Sequence, residues 1–550
     1  MAWEDIAREK RRERYSHLPD EWKICPVPPS RCVQDWPQTS GFFTPEELII
    51  TDSTASEVVR NIAERRWTAE NVTRAVCKRA AAAQQLLNCL TEIFFLEAIE
   101  CAKELDKEYE ASGVLAGPLH GLPISLKDQF DYEGKVTTMG WVSKANLRAN
   151  KDSTLVTLLL DAGAILYCKT NVSMGLMMLD TNNNIWGPTW NPWNRGVNPG
   201  GSSGGEGALV SFGGSHLGIG TDIGCTVRTA CSFTGLYGLH PSYGRLSYQG
   251  LTNTHSSQEA IKPTAGPMCR SPSDIRLLFK SVLDQEPWLV DPQVLPIPWR
   301  RHEEILPTKL CFAFGYDPMV QTTPPVTRAM EMTKAALLAA GHEVIEYSVT
   351  ENTLVTFLCF QLYLGYGGEE FRYETYVSGE PLMPGLQHSF GQLEARPLAE
   401  MGELQRMRAL LATGWHKRWQ DTEDMTTTGR PIDALIMPVC ALPAPSYGEP
   451  MMQTWGGLSA LLDLTTGIFP VTHVDWLHDT VPEDWRPRSE LDEQVMKQYK
   501  NTKSEDLVNV PIGLSLIGCR LEEEKITAML MLLEECLGSS QEFFLEDERL

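Results

Sequence analysis

No stretch of the chain reaches about 18 consecutive apolar residues, so a membrane-spanning helix is not expected. A signal-peptide core is also missing. The opening segment "MAWEDIAREKRRERYSHLPDEWKI" is charged almost throughout, and its interleaved glutamates read as a solvated helix rather than a basic targeting arm. Positive charge is scarce. Lys and Arg number 48 against 71 Asp and Glu, and the resulting formal charge of −23 repels phosphate backbones, which argues against nucleic acid as a partner. The 14 cysteines form no CxxC pair, and the spacing of Cys225 and Cys231 is not one that binds zinc. They read as reduced thiols, which places the protein in the cytoplasm. The 11 histidines contain no HExxH; His473 and His478, separated by "VDWL", read as ordinary loop or core residues. No metal and no cofactor are expected. A phosphate-binding GxxxxGK[ST] loop and an internal repeat are both lacking.

What remains is ample material for a folded enzyme. With 550 residues, 42% of them hydrophobic, the chain can bury a large core. "TAENVTRAVCKRAAAAQQLLN" has helical periodicity, "CLTEIFF" reads as a strand, and "LEAIECAKELDKEYEASG" is a second helix ending at Gly113. The same alternation recurs in "STLVTLLLDAGA" with "AILYCKT", and in "PVTRAMEMTKAALLAAG" with "HEVIEYSV". "DALIMPV" and "VPIGLSLIG" are further short strands, the last followed by the helical "LEEEKITAMLMLLEECL". Alternation of this kind predicts an α/β fold: a large mixed β-sheet covered by helices on both faces. The Pro- and Trp-rich "LDQEPWLVDPQVLPIPWRRHEEILP" reads as a surface connection between two halves of one fold.

Three segments carry chemistry. In "GLPISLKDQF", Lys127 closes an apolar run and so sits at the end of a strand; a lysine there either snorkels to water or, if buried, has its charged form disfavoured and could act as a base. "NPGGSSGGEGALVSFGGS" has linker-like composition but passes directly into the apolar helical "ALVSF", so its glycines instead permit close backbone approach to a ligand. Third is "GTDIGCTVR", Gly220 to Arg228.

Together these segments, with "KTNVSMGLMMLDTNNNIWGPTWNP" and "PIGLSLIGCRLEEEKI", resemble the amidase signature family, and most of all its fungal acetamidase-like branch. The resemblance spans nearly the whole chain. It implies a helical N-terminal arm over residues 1–65 packed on a single amidase-signature domain over 66–550, with the signature core at about 115–260. The family uses a Ser–cisSer–Lys triad, in which Lys127 and Ser202 match the lysine and the bridging serine. The nucleophile falls in GTDxGGS[IV]R, and here Thr226 replaces the serine and Cys225 the preceding glycine. The resemblance assigns the oxyanion hole to the backbone N–H groups of Ile223, Gly224, Cys225 and Thr226. It assigns structural support to Ser203, Asp222 and Arg228, and an apolar acyl pocket to Met174, Leu176, Met177 and Met178.

Threonine carries the required hydroxyl, but its methyl group restricts χ1 and crowds the approach to a carbonyl. A side chain at position 225 opposes the backbone angles that glycine allows. Two readings follow. One is a cofactor-independent hydrolase acting on the C–N bond of a small-molecule amide through a Lys–cisSer–Thr variant of the triad, in fungal specialised metabolism. The other is a catalytically altered amidase-fold protein: a pseudo-hydrolase, a non-hydrolytic biosynthetic enzyme or a binding protein. A homodimer is compatible with both.

Overall fold

The computed structural model describes residues 2–449 and 455–547. Eleven strands form one mixed sheet: β1 (Leu90–Ile93), β2 (Pro123–Lys127), β3 (Ile165–Thr170), β4 (Leu217–Asp222), β5 (Tyr237–His240), β6 (Thr264–Cys269), β7 (Cys311–Tyr316), β8 (Glu343–Ser348), β9 (Ala434–Pro438), β10 (Thr466–His473) and β11 (Pro511–Ile517). Their spatial order is β1-β3-β2-β4-β6-β5-β10-β11-β9-β7-β8. The first six strands thus make one half of the sheet, and β10 pairs with β5 to join the second half to it. Residues 284–310, the Pro- and Trp-rich stretch, lead from one half to the other; Leu289, Val290 and Ile305 are exposed along it, while Trp299 is buried against Phe279.

Helices cover both faces, as two glycines show. On the antiparallel β10–β11 pair, Gly467 faces Leu516 and Pro470 faces Gly513, three residues along. Side chains alternate between faces along a strand, so positions 467 and 513 point to opposite sides. A Cβ at Gly467 would meet Leu530 of the helix Glu523–Asp547 at 2.8 Å; one at Gly513 would meet Ser232 of the helix Thr226–Thr234 at 2.9 Å. The sheet is therefore sandwiched, and its strands are buried on both sides: every residue of β2, β3, β4, β9 and β11 is inaccessible to solvent or nearly so.

Within the first 65 residues the chain forms helices at Trp3–Ser16, Pro45–Asp52 and Ala55–Ala63. The last two begin with full capping boxes, Thr44 with Glu47 and Thr54 with Glu57. Arg14 ties the first helix down by donating to the Leu90 carbonyl and, at 2.8 Å, to Asn88. Among the described residues no helix is long and apolar enough to cross a membrane.

The parallel pairs β2–β3 and β2–β4 position the site. Leu126 of β2 lies opposite Ile219 of β4, so both strands end on the same edge of the sheet, with Lys127 beside Thr221 and Asp222. The ends of parallel strands are where α/β folds place their ligand crevices.

Candidate active site

Lys127 is fully buried at the end of β2 and its ammonium group meets no carboxylate directly. Its Nζ donates to Ser202 Oγ at 2.8 Å and to Thr221 Oγ1 at 2.7 Å, and the Thr221 hydroxyl donates in turn to Gln129 Oε1. Burial outweighs the attraction of Asp222, Glu206 and Asp128 and brings the Lys127 pKa down to about 7. Glu206 lies in the same interior. Burial pushes its carboxyl up to about 8, against hydrogen bonds from Ser125 and Thr170. A largely neutral Glu206 does not hold a proton on Lys127, so the amine is available as a base near neutral pH.

Ser202 follows a cis Gly201–Ser202 peptide bond. Immediately after it, the helix Gly204–Ser211 begins and is buried along its whole length. Ser203 Oγ donates to the Thr221 carbonyl at 3.1 Å and so ties the Gly/Ser loop to the end of β4.

The turn after β4 is organised by Asp222. Its carboxylate accepts the N–H groups of Cys225 (2.7 Å), Val227 (3.1 Å) and Arg228 (3.3 Å), capping the first turn of the helix Thr226–Thr234. Arg228 closes a two-pronged pair on the same carboxylate at 3.0 and 2.9 Å and donates its third arm to the Gly456 carbonyl. Both charges are buried. Burial opposes ionisation of Asp222, but Arg228 and the N–H donors outweigh it and hold the carboxyl below the usual range. Ile223, Gly224 and Thr226 are left with backbone N–H groups that no described residue accepts. The Cys225 N–H is held by Asp222, so of the four N–H groups the resemblance implies, those of residues 223, 224 and 226 are open to a ligand. They sit at the positive end of a helix, where developing negative charge is stabilised.

Cys225 keeps the conformation a glycine would have, with φ at +101°. The expected distortion of the turn does not occur. The side chain is instead accommodated by Gly456, where an added Cβ would lie 2.3 Å from both the Cβ and the Sγ of Cys225. Burial raises the Cys225 thiol pKa, which leaves it protonated and a poor nucleophile.

Thr226 is the residue whose placement departs most from expectation. Its hydroxyl donates to the Thr221 carbonyl at 2.5 Å, and no hydrogen bond joins it to Ser202 among the described residues. Thr221 thus binds Lys127 through its side chain and Thr226 through its backbone. Lys127 and Ser202 are joined directly, whereas the Thr226 hydroxyl is bound to the Thr221 backbone.

Thr226, Ile223 and Gly224 open onto a cavity of about 140 Å³. Its walls are Leu176, Met177, Met178 and Leu179 on one side and Thr356, Cys359, Phe360, Tyr363 and Leu364 on another, with Ser389, Phe390 and Gly457 completing it. Met174 does not belong to this wall. Gly175 and Leu176 both take left-handed angles, φ +62° and +64°, and turn the chain so that Met174 packs in a core cluster with Met139, Trp141, Val172 and Phe371. The cavity helix Asn352–Leu364 carries no motif and was not legible as part of the site. His473 packs its ring on Trp193, and His478 pairs with Asp475 at 2.6 Å, so both are accounted for structurally. None of the 14 cysteines is in a disulfide.

A model of the Amidase family matches residues 71–527. The chain belongs to that family. A putative amidase of Curvularia clavata, kk1C, is 50% identical over 98% of each chain. An acetamidase of Aspergillus oryzae is 38% identical over 98% of this chain and 99% of its own. Among solved structures, a fatty acid amide hydrolase superposes with a TM-score of 0.90 at 30% identity, covering 97% of this chain and 95% of its own. The molecule is thus an amidase-family hydrolase of amide C–N bonds, with the amidase-signature fold.

The contact between Cys225 and Gly456 gives a test of how this amidase tolerates its unusual turn. Gly456→Ala forces a clash and should cost about 1–3 kcal/mol, the usual range for overpacking. Cys225→Gly empties the contested space, so the double variant should recover most of that loss in a urea-unfolding cycle. Additive losses would mean that the two residues do not compete for the same volume.

Proposed function

We propose that the protein hydrolyses a small amide whose acyl group is apolar and larger than acetyl, with Thr226 as nucleophile, Ser202 as proton relay and Lys127 as base. The observation that carries this is the buried, unpaired Lys127 held on Ser202 beside three unclaimed N–H groups at a helix N-terminus. In the reaction, Thr226 Oγ1 leaves the Thr221 carbonyl and turns toward Ser202. It attacks the amide carbon while its proton passes through Ser202 to Lys127. The oxyanion forms against the N–H groups of Ile223, Gly224 and Thr226. As the intermediate collapses, the leaving amine takes the proton back from Lys127 through Ser202. Water then attacks the Thr226 ester by the same relay and releases the acid.

The cavity supports the acyl assignment. Its volume is close to that of the engineered cavity of about 150 Å³ that binds benzene, and its wall is mostly apolar and rich in deformable methionine. A benzene-sized or short branched acyl group fits such a wall better than acetyl does. The relatives named above are fungal, which suits a substrate from fungal specialised metabolism.

The orientation of Thr226 favours a second reading, in which hydrolysis is impaired and the pocket serves binding or a non-hydrolytic reaction. Substitution distinguishes the two. The turn already holds its glycine-like shape, so the main obstacle is the threonine rotamer. Thr226→Ser should therefore raise kcat for benzamide-sized amides about tenfold or more, and adding Cys225→Gly should change it by less than about threefold. If neither variant nor the wild type turns over any amide in a panel of acetyl, branched and aromatic substrates, the binding-protein reading stands instead.

The protonation state of Lys127 gives an independent test. A lysine base works only when neutral, so kcat/KM should rise with pH through an inflection near 7 and level off above it. Lys127→Met should remove both the activity and the inflection. A rate that falls as pH rises through 7 would contradict a lysine base.

A further inference from the structure

Tyr363 lies on the helix Asn352–Leu364, 140 residues along the chain from the turn that follows β4. Its hydroxyl donates to the backbone carbonyl of Ile223, and its ring forms part of the cavity wall. The phenol is in contact with Gly224 as well. A Cβ there would lie 2.7 Å from the Tyr363 oxygen and 3.3 Å from Cζ, so only glycine leaves room for the hydroxyl to reach its acceptor. Burial, followed by the neighbouring Cys359, raises the phenol pKa, so the group stays protonated and can only donate in this contact.

The peptide that Tyr363 grips is the one that ends in the Gly224 N–H. A peptide group is planar and trans, so its C=O and N–H point in opposite directions. Fixing the Ile223 oxygen therefore fixes where the Gly224 N–H points. That N–H has no acceptor among the described residues, and Ile223, Gly224 and Thr226 all border the same cavity. A hydrogen bond to a carbonyl also polarises the peptide and strengthens its N–H as a donor. The other contacts of the turn hold different atoms. Asp222 binds the N–H groups of Cys225, Val227 and Arg228, and Arg228 binds Gly456, so none of them fixes the Ile223–Gly224 peptide.

We infer that Tyr363 is a positioning residue for the oxyanion hole: through the Ile223 carbonyl it aims the Gly224 N–H at the reacting oxygen. The same helix contributes Thr356, Cys359, Phe360 and Leu364 to the acyl wall. An acyl group that fills the cavity packs against this helix and supports the hydroxyl that orients the donor. Recognition of the acyl group and stabilisation of the oxyanion thus share one element. This inference rests on the reading of the site as an amide hydrolase.

The test compares Tyr363→Phe with the parent, in the wild-type and Thr226→Ser backgrounds. Phenylalanine keeps the ring and its packing and removes only the donor. The expected result is a fall in kcat of about 10- to 100-fold with KM within about twofold, because the lost stabilisation exists in the transition state and not in the bound amide. Affinity for an apolar boronic acid, which forms a tetrahedral adduct on the nucleophile, should weaken by about tenfold or more. Affinity for the matching carboxamide under conditions of negligible turnover should stay within twofold. Gly224→Ala, which evicts the hydroxyl, should give a similar loss, and the double variant should be no worse than about threefold below the poorer single variant.

A purely structural role for Tyr363 would raise KM and weaken the carboxamide and the boronic acid equally, which would overturn the inference. An unchanged kcat in Tyr363→Phe, with turnover present in the parent, would overturn it while leaving the hydrolase reading intact. Absence of turnover in both parents would overturn the hydrolase reading and this inference with it.

Discussion

The site depends on burying a lysine without giving it a counter-charge in contact. A lysine removed from water beside an ionised carboxylate would stay protonated and could not serve as a base. Lys127 meets the hydroxyls of Ser202 and Thr221 instead. Asp222 is the carboxylate whose charge acts most on Lys127, and Arg228 occupies both of its oxygens. Glu206 is bound by Ser125 and Thr170 and is pushed toward its neutral form. With the carboxylates engaged in this way, burial of the lysine outweighs their remaining attraction and that of Asp128 and lowers the Lys127 pKa. The parallel pairing of β2 and β4 brings these groups to one edge of the sheet.

Cys225 and Thr226 act differently within this frame. Cys225 has a left-handed backbone of the kind glycine favours, at a conformational cost of about 1–2 kcal/mol, and Gly456 makes room for its side chain. The turn therefore keeps its donors at 223, 224 and 226. Thr226 sits at the first helical position with its hydroxyl on the Thr221 carbonyl. A β-branched residue changes rotamer less readily than serine, so on the proposed mechanism Thr226 must give up this contact before it can attack.

Much of this was legible in the sequence. β2, β3, β8, β9 and β11 are short apolar runs, and the helices beside them have clear periods. β4 was not read as a strand, because "LGIGTD" is rich in glycine, and β10 was hidden by the proline within "TGIFPVTH". The signature segments named Lys127, Ser202 and the turn, but side-chain direction lies outside what spacing carries. Met174 faces a core cluster because of two left-handed residues that follow it, and the Thr226 hydroxyl faces backward along β4. Tyr363 was invisible for a simpler reason. It reaches the turn from a helix with no motif, through a contact that only the tertiary fold creates.

In the proposed mechanism Thr226, and not the adjacent Cys225, is the nucleophile activated by Lys127 through Ser202. Labelling with a fluorophosphonate followed by peptide mapping addresses this most directly, because the adduct records which atom attacked. The account predicts slow, stoichiometric phosphonylation of Thr226, suppressed by Ser202→Ala and faster as pH rises through 7. An adduct on Cys225, or labelling of Thr226 that is indifferent to Ser202, would contradict it.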